Sequence, residues 1–148
     1  MVRLAFASRR VFVDSSAYYA VTDPRDDNHA RARSIALALS RERRPLFTSN
    51  FVLAETHALT LSHLGHSVAL RVLTEILASS TTIVRVSAAD ERRAQAIIVQ
   101  YTDKDFSYTD ATSFAIMERL HIRSVFTFDD DFTRFGLNPV TPQSIREG

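Results

Sequence analysis

Short β-branched or aromatic runs alternate along this chain with longer segments of helical period. The short runs are Val11-Phe12-Val13, Leu46-Phe47-Thr48 after Pro45, Thr82 to Val86 and Val125 to Phe128. A fifth is expected around Val140, between Pro139 and Pro142. Helical spacing of apolar residues predicts helices over 27–43, 50–64, 67–79, 88–101 and 109–120, with a short one from Ser15. Gly65 is read as the stop of the helix before it. Strands alternating with helices specify a three-layer α/β/α domain on a central parallel sheet of four to five strands.

Parallel α/β sheets collect ligands beyond the carboxyl ends of their strands. Asp14 follows Val11-Phe12-Val13, and Asp129 follows the run ending at Phe128, so both are expected at that edge. Glu55 lies one turn from Phe51 and from Leu59 on a helix that Ser49 would cap. Asp110 falls in the first turn of its helix, in register with Phe114 and Met117. Singly, each has an ordinary explanation. Asp14 would be a turn former, Asp110 half of a capping box with Ser107, and Asp129-Asp130-Asp131 a solvated run. Glu55 resists this, because an ionised carboxylate on an apolar face costs several kcal/mol without compensation. Taken together, two strand ends and two helix first turns bring four carboxylates to one edge. Four such charges do not all stay ionised near neutral pH unaided. A divalent cation resolves the repulsion, and an all-oxygen ligand set favours Mg²⁺ or Mn²⁺ over zinc.

Composition narrows the classes. The 148 residues carry 18 Lys+Arg against 17 Asp+Glu, a net charge of +1, and the chain has no cysteine. That excludes disulfides, thiol nucleophiles and zinc–thiolate sites. No apolar stretch approaches the ~18 residues of a membrane span, and the N-terminal apolar run is too short for a signal peptide, so a cytoplasmic protein is expected. Residues 1–10 are expected to be a flexible extension and 11–148 the folded domain. Near-zero net charge excludes indiscriminate, salt-driven binding to nucleic acid. It permits a local Arg surface: residues 1–44 hold nine arginines against five acids, and this region is expected to face RNA. Arg41, Arg43 and Arg44 read as a solvated helix end. His63 and His66 have ligand-like spacing, but the intervening Gly65 points to a helix end. Phe128 and Phe132 read as core anchors, and Asp103-Lys104-Asp105 as a charged loop shaping access.

VFVDSSA (11–17), TSNFVLAET (48–56), YTDKDFSYTDATSFAIMERL (101–120) and VFTFDDDF (125–132) together resemble PIN-domain ribonucleases, specifically VapC-type toxins of type II toxin–antitoxin systems. The resemblance runs from Val11 to about Gly136 and implies that Asp14, Glu55, Asp110 and Asp129 form the family's acidic quartet. It implies metal contacts from Asp14, Asp110, Asp129 and Asp131, with Thr109 and Thr127 matching the family's small hydroxyls. Ser15, Ser16 and Ser113 are further candidates for contact with metal-bound water or phosphate, and Ser15 equally for an N-cap. The implied activity is Mg²⁺- or Mn²⁺-dependent endonucleolytic cleavage of structured RNA, tRNA or an rRNA loop, leaving 5′-phosphate and 3′-hydroxyl ends. The implied partners are a VapB-like antitoxin and a second copy of the chain. A PIN-fold RNA-processing nuclease outside toxin–antitoxin systems, or a non-catalytic binding module, fits the same residues. A phospho-acceptor receiver needs a Lys at a later strand end, and the one Lys, Lys104, precedes the fourth strand. An Asp-nucleophile phosphatase wants an acid where Ser16 stands.

Overall fold

The structure, a computed structural model, describes residues 9–148. Five strands form one parallel sheet in the order β3-β2-β1-β4-β5: β1 Val11–Val13, β2 Leu46–Ser49, β3 Thr82–Val84, β4 Ser124–Phe126 and β5 Asn138–Pro139. The helices are α1 Ser15–Thr22, α2 His29–Arg41, α3 Asn50–Leu64, α4 His66–Ala78, α5 Ala88–Gln100, α6 Tyr108–Leu120, α7 Asp131–Arg134 and α8 Pro142–Glu147.

Strand alternation generates the layers. Val11 and Val13 point to one face, among Ala17, Ala20, Ile35 and Leu39 of α1 and α2. Phe12 points to the other, among Ala94, Ile97, Phe114 and Met117 of α5 and α6. A strand buried on both faces lacks polar alternation, which is why VFV is uniformly apolar. On the Phe12 side, Phe114 stacks on Phe135 with centroids 4.5 Å apart and meets Phe106 and Phe132 edge-on, each at 5.0 Å. Phe132 is fully buried, as its core role requires. These rings lock α7 against α6, fixing the bases of Asp131 and Asp110.

Several boundaries differ from the sequence pattern, each through hydrogen bonds that hydrophobic spacing does not encode. β3 stops at Val84 because the Val86 N–H donates to Asn50 Oδ1 at 2.9 Å. β4 stops at Phe126, two residues early, because Phe128 N–H donates to Ser16 Oγ and Asp129 N–H to Thr127 Oγ1, both at 3.0 Å. Gly65, at φ +89°, breaks α3 from α4 with open space around it, so backbone conformation selects glycine there.

Residues 1–8 of the expected extension lie outside the described residues. Arg9 and Arg10 are tied down: Arg9 donates to Glu42 O at 2.6 Å, and Arg10 to Leu120 O at 3.0 Å. Arg44 corrects the expectation of a solvated helix end. It is buried, with Nε donating to Arg9 O at 2.6 Å and Nη1 to Ile145 O at 3.2 Å. Its guanidinium satisfies carbonyls where the chain enters β1 and leaves α8.

Candidate functional site

The carboxyl edge of the sheet gathers the acids. Asp14, directly after β1, is the N-cap of α1. Its Oδ2 accepts from Ser16 Oγ at 2.7 Å, Thr127 Oγ1 at 3.0 Å and Ser16 N at 3.3 Å. Its Oδ1 is buried without a hydrogen-bond partner. Ser15 is therefore not the cap; its hydroxyl donates instead to Glu55 Oε1. Glu55 is half-buried and lies in the second turn of α3, not the first as expected. Ser49 caps that helix, its Oγ accepting from Val52 N at 3.0 Å. Asp110 sits in the first turn of α6, with its N–H on Ser107 Oγ at 3.0 Å.

Thr127 joins the two strand ends. One hydroxyl donates to Asp14 and accepts the Asp129 N–H, so the acidic turn cannot move without moving Asp14. Asp129 Oδ1 in turn accepts the Asp131 N–H at 2.9 Å. The result brings Asp110, Asp129 and Asp131 together: each offers a carboxylate oxygen within 4.8 Å of the others. Asp14 lies beside this trio and is not part of it.

Electrostatics records the crowding. Burial pushes the Asp110 carboxyl up to about 7, and the charges of Asp14, Asp129 and Glu55 add to the rise. Burial also raises Asp14, with Glu55 contributing, against hydrogen bonds that lower it. Asp129 is raised by burial and by Asp131, Asp14 and Asp130. By contrast Asp131 is engaged by Arg134 at 2.8 Å.

Of the supporting residues, Thr127 occupies the centre of the network. Thr109 is half-buried next to Asp110, and its carbonyl accepts from Thr112 and Ser113. Ser113 corrects the expectation of substrate contact: it is fully buried and its hydroxyl donates to Thr109 O within the helix, at 3.1 Å. His63 packs its ring on Tyr19, 5.5 Å between centroids, and is bonded to Leu59 O at the far end of α3 from Ser49. Lys104 pairs with Asp103 at 2.9 Å.

The N-terminal arginines correct a further expectation. Arg9 and Arg10 precede β1 and Arg43 and Arg44 precede β2, so they lie at the amino edge of the sheet, opposite the acids. α2 runs back against the strands, carrying Arg41 to that same edge and leaving Arg31, in its first turn, at the carboxyl edge. Among the described residues, five of the eight arginines in 9–44 therefore lie at the edge away from the acids. Nothing in the local sequence distinguishes Arg31 from Arg33.

The PIN domain family model matches residues 11–137. The 23S rRNA-specific endonuclease VapC20 of Mycobacterium tuberculosis is 31% identical over 133 residues, 90% of this chain and 99% of that protein. The crystal structure of Mycobacterium tuberculosis VapC20, described as a sarcin–ricin loop cleaving toxin, superposes with TM-score 0.81 at 32% identity, covering 89% of this chain and 99% of that one. A toxin–antitoxin complex from Klebsiella pneumoniae shares the fold at TM-score 0.60 and 17% identity, covering 89% of this chain and 97% of that one.

Proposed function

Since the chain belongs to the PIN-domain family, on its VapC-type side, we propose that it is a divalent-metal-dependent endoribonuclease acting as a toxin. The observation that carries this is the acidic cluster itself. Three carboxylates converge within 4.8 Å, and beside them the buried Asp14 Oδ1 has no partner. Such a set is unstable without a cation, and its oxygen-only donors fit Mg²⁺ or Mn²⁺. Asp110, Asp129 and Asp131 would hold the ion, with Asp14 completing the shell. When bound, it supplies Lewis-acid stabilisation of phosphodiester oxygens and lowers the pKa of water.

The chain's own residues do the positioning. Ser16 and Thr127 hold Asp14 in one rotamer, and Thr127 ties that carboxylate to the Asp129 turn. Glu55, oriented by Ser15 and outside the trio, is assigned to hold the attacking water and take its proton. Water oxygen then bonds to phosphorus as the P–O3′ bond breaks. The departing 3′-oxygen takes a proton from solvent water, leaving a 5′-phosphate and a 3′-hydroxyl.

The nuclease unit is taken as 11–148. A VapB-like antitoxin and a second copy of the chain are the proposed protein partners, and Leu61, Leu70 and Leu77, exposed on α3 and α4, form apolar surface for such contacts. Among the described residues no helix is long and apolar enough to cross a membrane, and action in the cytoplasm is part of the proposal. By likeness to VapC20, the sarcin–ricin loop of 23S rRNA is the first substrate to try.

The test is to incubate purified protein with total RNA and Mg²⁺ or Mn²⁺, beside Asp14→Asn, and map the new RNA ends. Discrete cuts bearing 5′-phosphates, made by wild type and lost in the variant, are expected. Equal cutting by both proteins would refute the assignment. Cuts confined to precursor RNAs would shift the reading to RNA processing.

A further inference from the structure

We propose that a polar cavity beside the acidic turn is a subsite for RNA backbone, and that Arg31 binds there the phosphate next to the scissile bond. The inference rests on the nuclease reading above and names how its substrate is held. The cavity, about 280 Å³, is walled on one side by Thr127, Asp129 and Asp130, and on the other by Asn28 and Arg31; Thr141 lines it towards β5. Asp129 belongs both to this cavity and to the carboxylate trio, so whatever fills it is contiguous with the reacting group. Its volume lies just below the roughly 300 Å³ where drug-sized ligands begin. That suits one sugar–phosphate unit and excludes a folded loop.

Arg31 is the informative residue. Arg93, Arg119 and Arg134 each lie within 3 Å of a carboxylate oxygen. Arg31 is exposed, shares a cavity with Asp129 and Asp130, and among the described residues has no ion pair or side-chain hydrogen bond. A guanidinium so placed keeps its whole donor fork available for a bidentate anion, and phosphate matches that fork better than any neutral group. The cavity's two aspartates disfavour a free anion. An anion delivered as part of a chain already engaged at the acidic cluster is held there by connection as well as by charge.

The platform beneath Arg31 is fixed. The Asp26 carboxylate accepts the Asn28 N–H at 2.8 Å, its carbonyl accepts the His29 N–H at 3.0 Å, and His29 Nδ1 meets Ala20 O at 2.7 Å. Asn28 makes no side-chain cap bond, leaving an amide in the cavity wall able to meet a ribose 2′-hydroxyl, the group that marks RNA.

The probe is an RNA hairpin carrying the sarcin–ricin loop. Its cleavage is measured with wild type, Arg31→Ala, Arg31→Lys and Arg33→Ala, and its binding by fluorescence anisotropy in an Asp14→Asn background. Arg31→Ala is expected to lower kcat/KM roughly 10- to 100-fold, the range for hydrogen bonds to a charged group, chiefly through KM. Lysine restores part of it, and Arg33→Ala, on the same helix but outside the cavity, matches wild type. Methylphosphonates placed in turn on either side of the cut locate the contact: at one position the Arg31→Ala penalty disappears. Equal kinetics for Arg31→Ala and wild type, an equal loss in Arg33→Ala, or a penalty that survives both neutralised phosphates would overturn the proposal. If wild type cleaves neither this hairpin nor total RNA, the nuclease reading fails by itself. Anisotropy then decides the subsite: Arg31-dependent binding sustains it, and unchanged binding in Arg31→Ala ends it.

Discussion

Asp110→Asn will slow cleavage by roughly a thousand-fold and yet make the metal-free protein more stable at pH 8. The reason is the sign of the shift. In the folded chain burial and three neighbouring carboxylates push Asp110 up to about 7, against 3.8 for an ordinary aspartate. An acid harder to ionise when folded destabilises the fold wherever it is forced to ionise. At pH 8 it is ionised in both states, so the full penalty applies, on the order of 2–4 kcal/mol. Asparagine keeps the shape and removes the charge, and a rise in Tm of roughly 5–10 °C is expected without metal. Activity should fall by roughly a thousand-fold, because losing an ion's stabilisation of the transition state costs several kcal/mol. Thermal melts in chelator, read beside cleavage rates, check both halves. A lower Tm for the variant would mean that Asp110 is stabilised by its surroundings and is no part of a repelling cluster.

Metal-free wild type should lose stability as pH rises from about 5 to 8, and a divalent cation should restore it chiefly at the upper end. Between the unfolded and folded values of Asp110 the native state binds more protons than the unfolded chain, so unfolding free energy falls with rising pH. Asp14 and Asp129, also raised, push the same way. The opposite group is Asp90, lowered chiefly by its bidentate bond from Arg119 against the cost of burial. It contributes stability above the ordinary aspartate range that is lost in acid. Melting temperature should therefore peak near the ordinary aspartate value, at about pH 4. Millimolar Mg²⁺ or Mn²⁺ should raise Tm by several degrees at pH 8, by mass action on the folded state, and less at pH 5, where Asp110 still carries its proton. Equal metal stabilisation at both pH values, or the same gain in Asp110→Asn, would show that the ion binds elsewhere.

Much of this site was legible without coordinates, and the gaps have identifiable causes. Helix α3 spans the residues its spacing predicted, because Ser49 and Gly65 mark its ends with distinct chemistry. Asp14, Asp129 and Asp110 stood out by positions after strands or in a helix's first turn, and Glu55 by its place on an apolar stripe. What hydrophobic periodicity could not reveal were bonds between side chains and backbone of distant segments. Ser16 and Thr127 draw residues 127–129 out of β4, and Asp14 takes the cap position that Ser15 seemed equally fit to hold. Ser113 looked available beside Asp110, yet helix rotation turns it into the core. The arginines are the clearest case. Their number in the first 44 residues suggested an RNA-facing surface, but direction along a parallel sheet sends most to the edge away from the acids. Only the crossover that returns α2 brings Arg31 back.

The central claim is that these carboxylates hold the metal that cleaves RNA. Single-turnover cleavage of one mapped RNA across a Mn²⁺ titration tests it most directly, with wild type, Asp14→Asn and Asp110→Asn assayed together. The account predicts no cleavage in chelator, a rate for wild type that rises to saturation with Mn²⁺, and variants that stay roughly a thousand-fold slower at every concentration. Cleavage by wild type undiminished in chelator, or saturation curves for the variants that overlie the wild type, would contradict it.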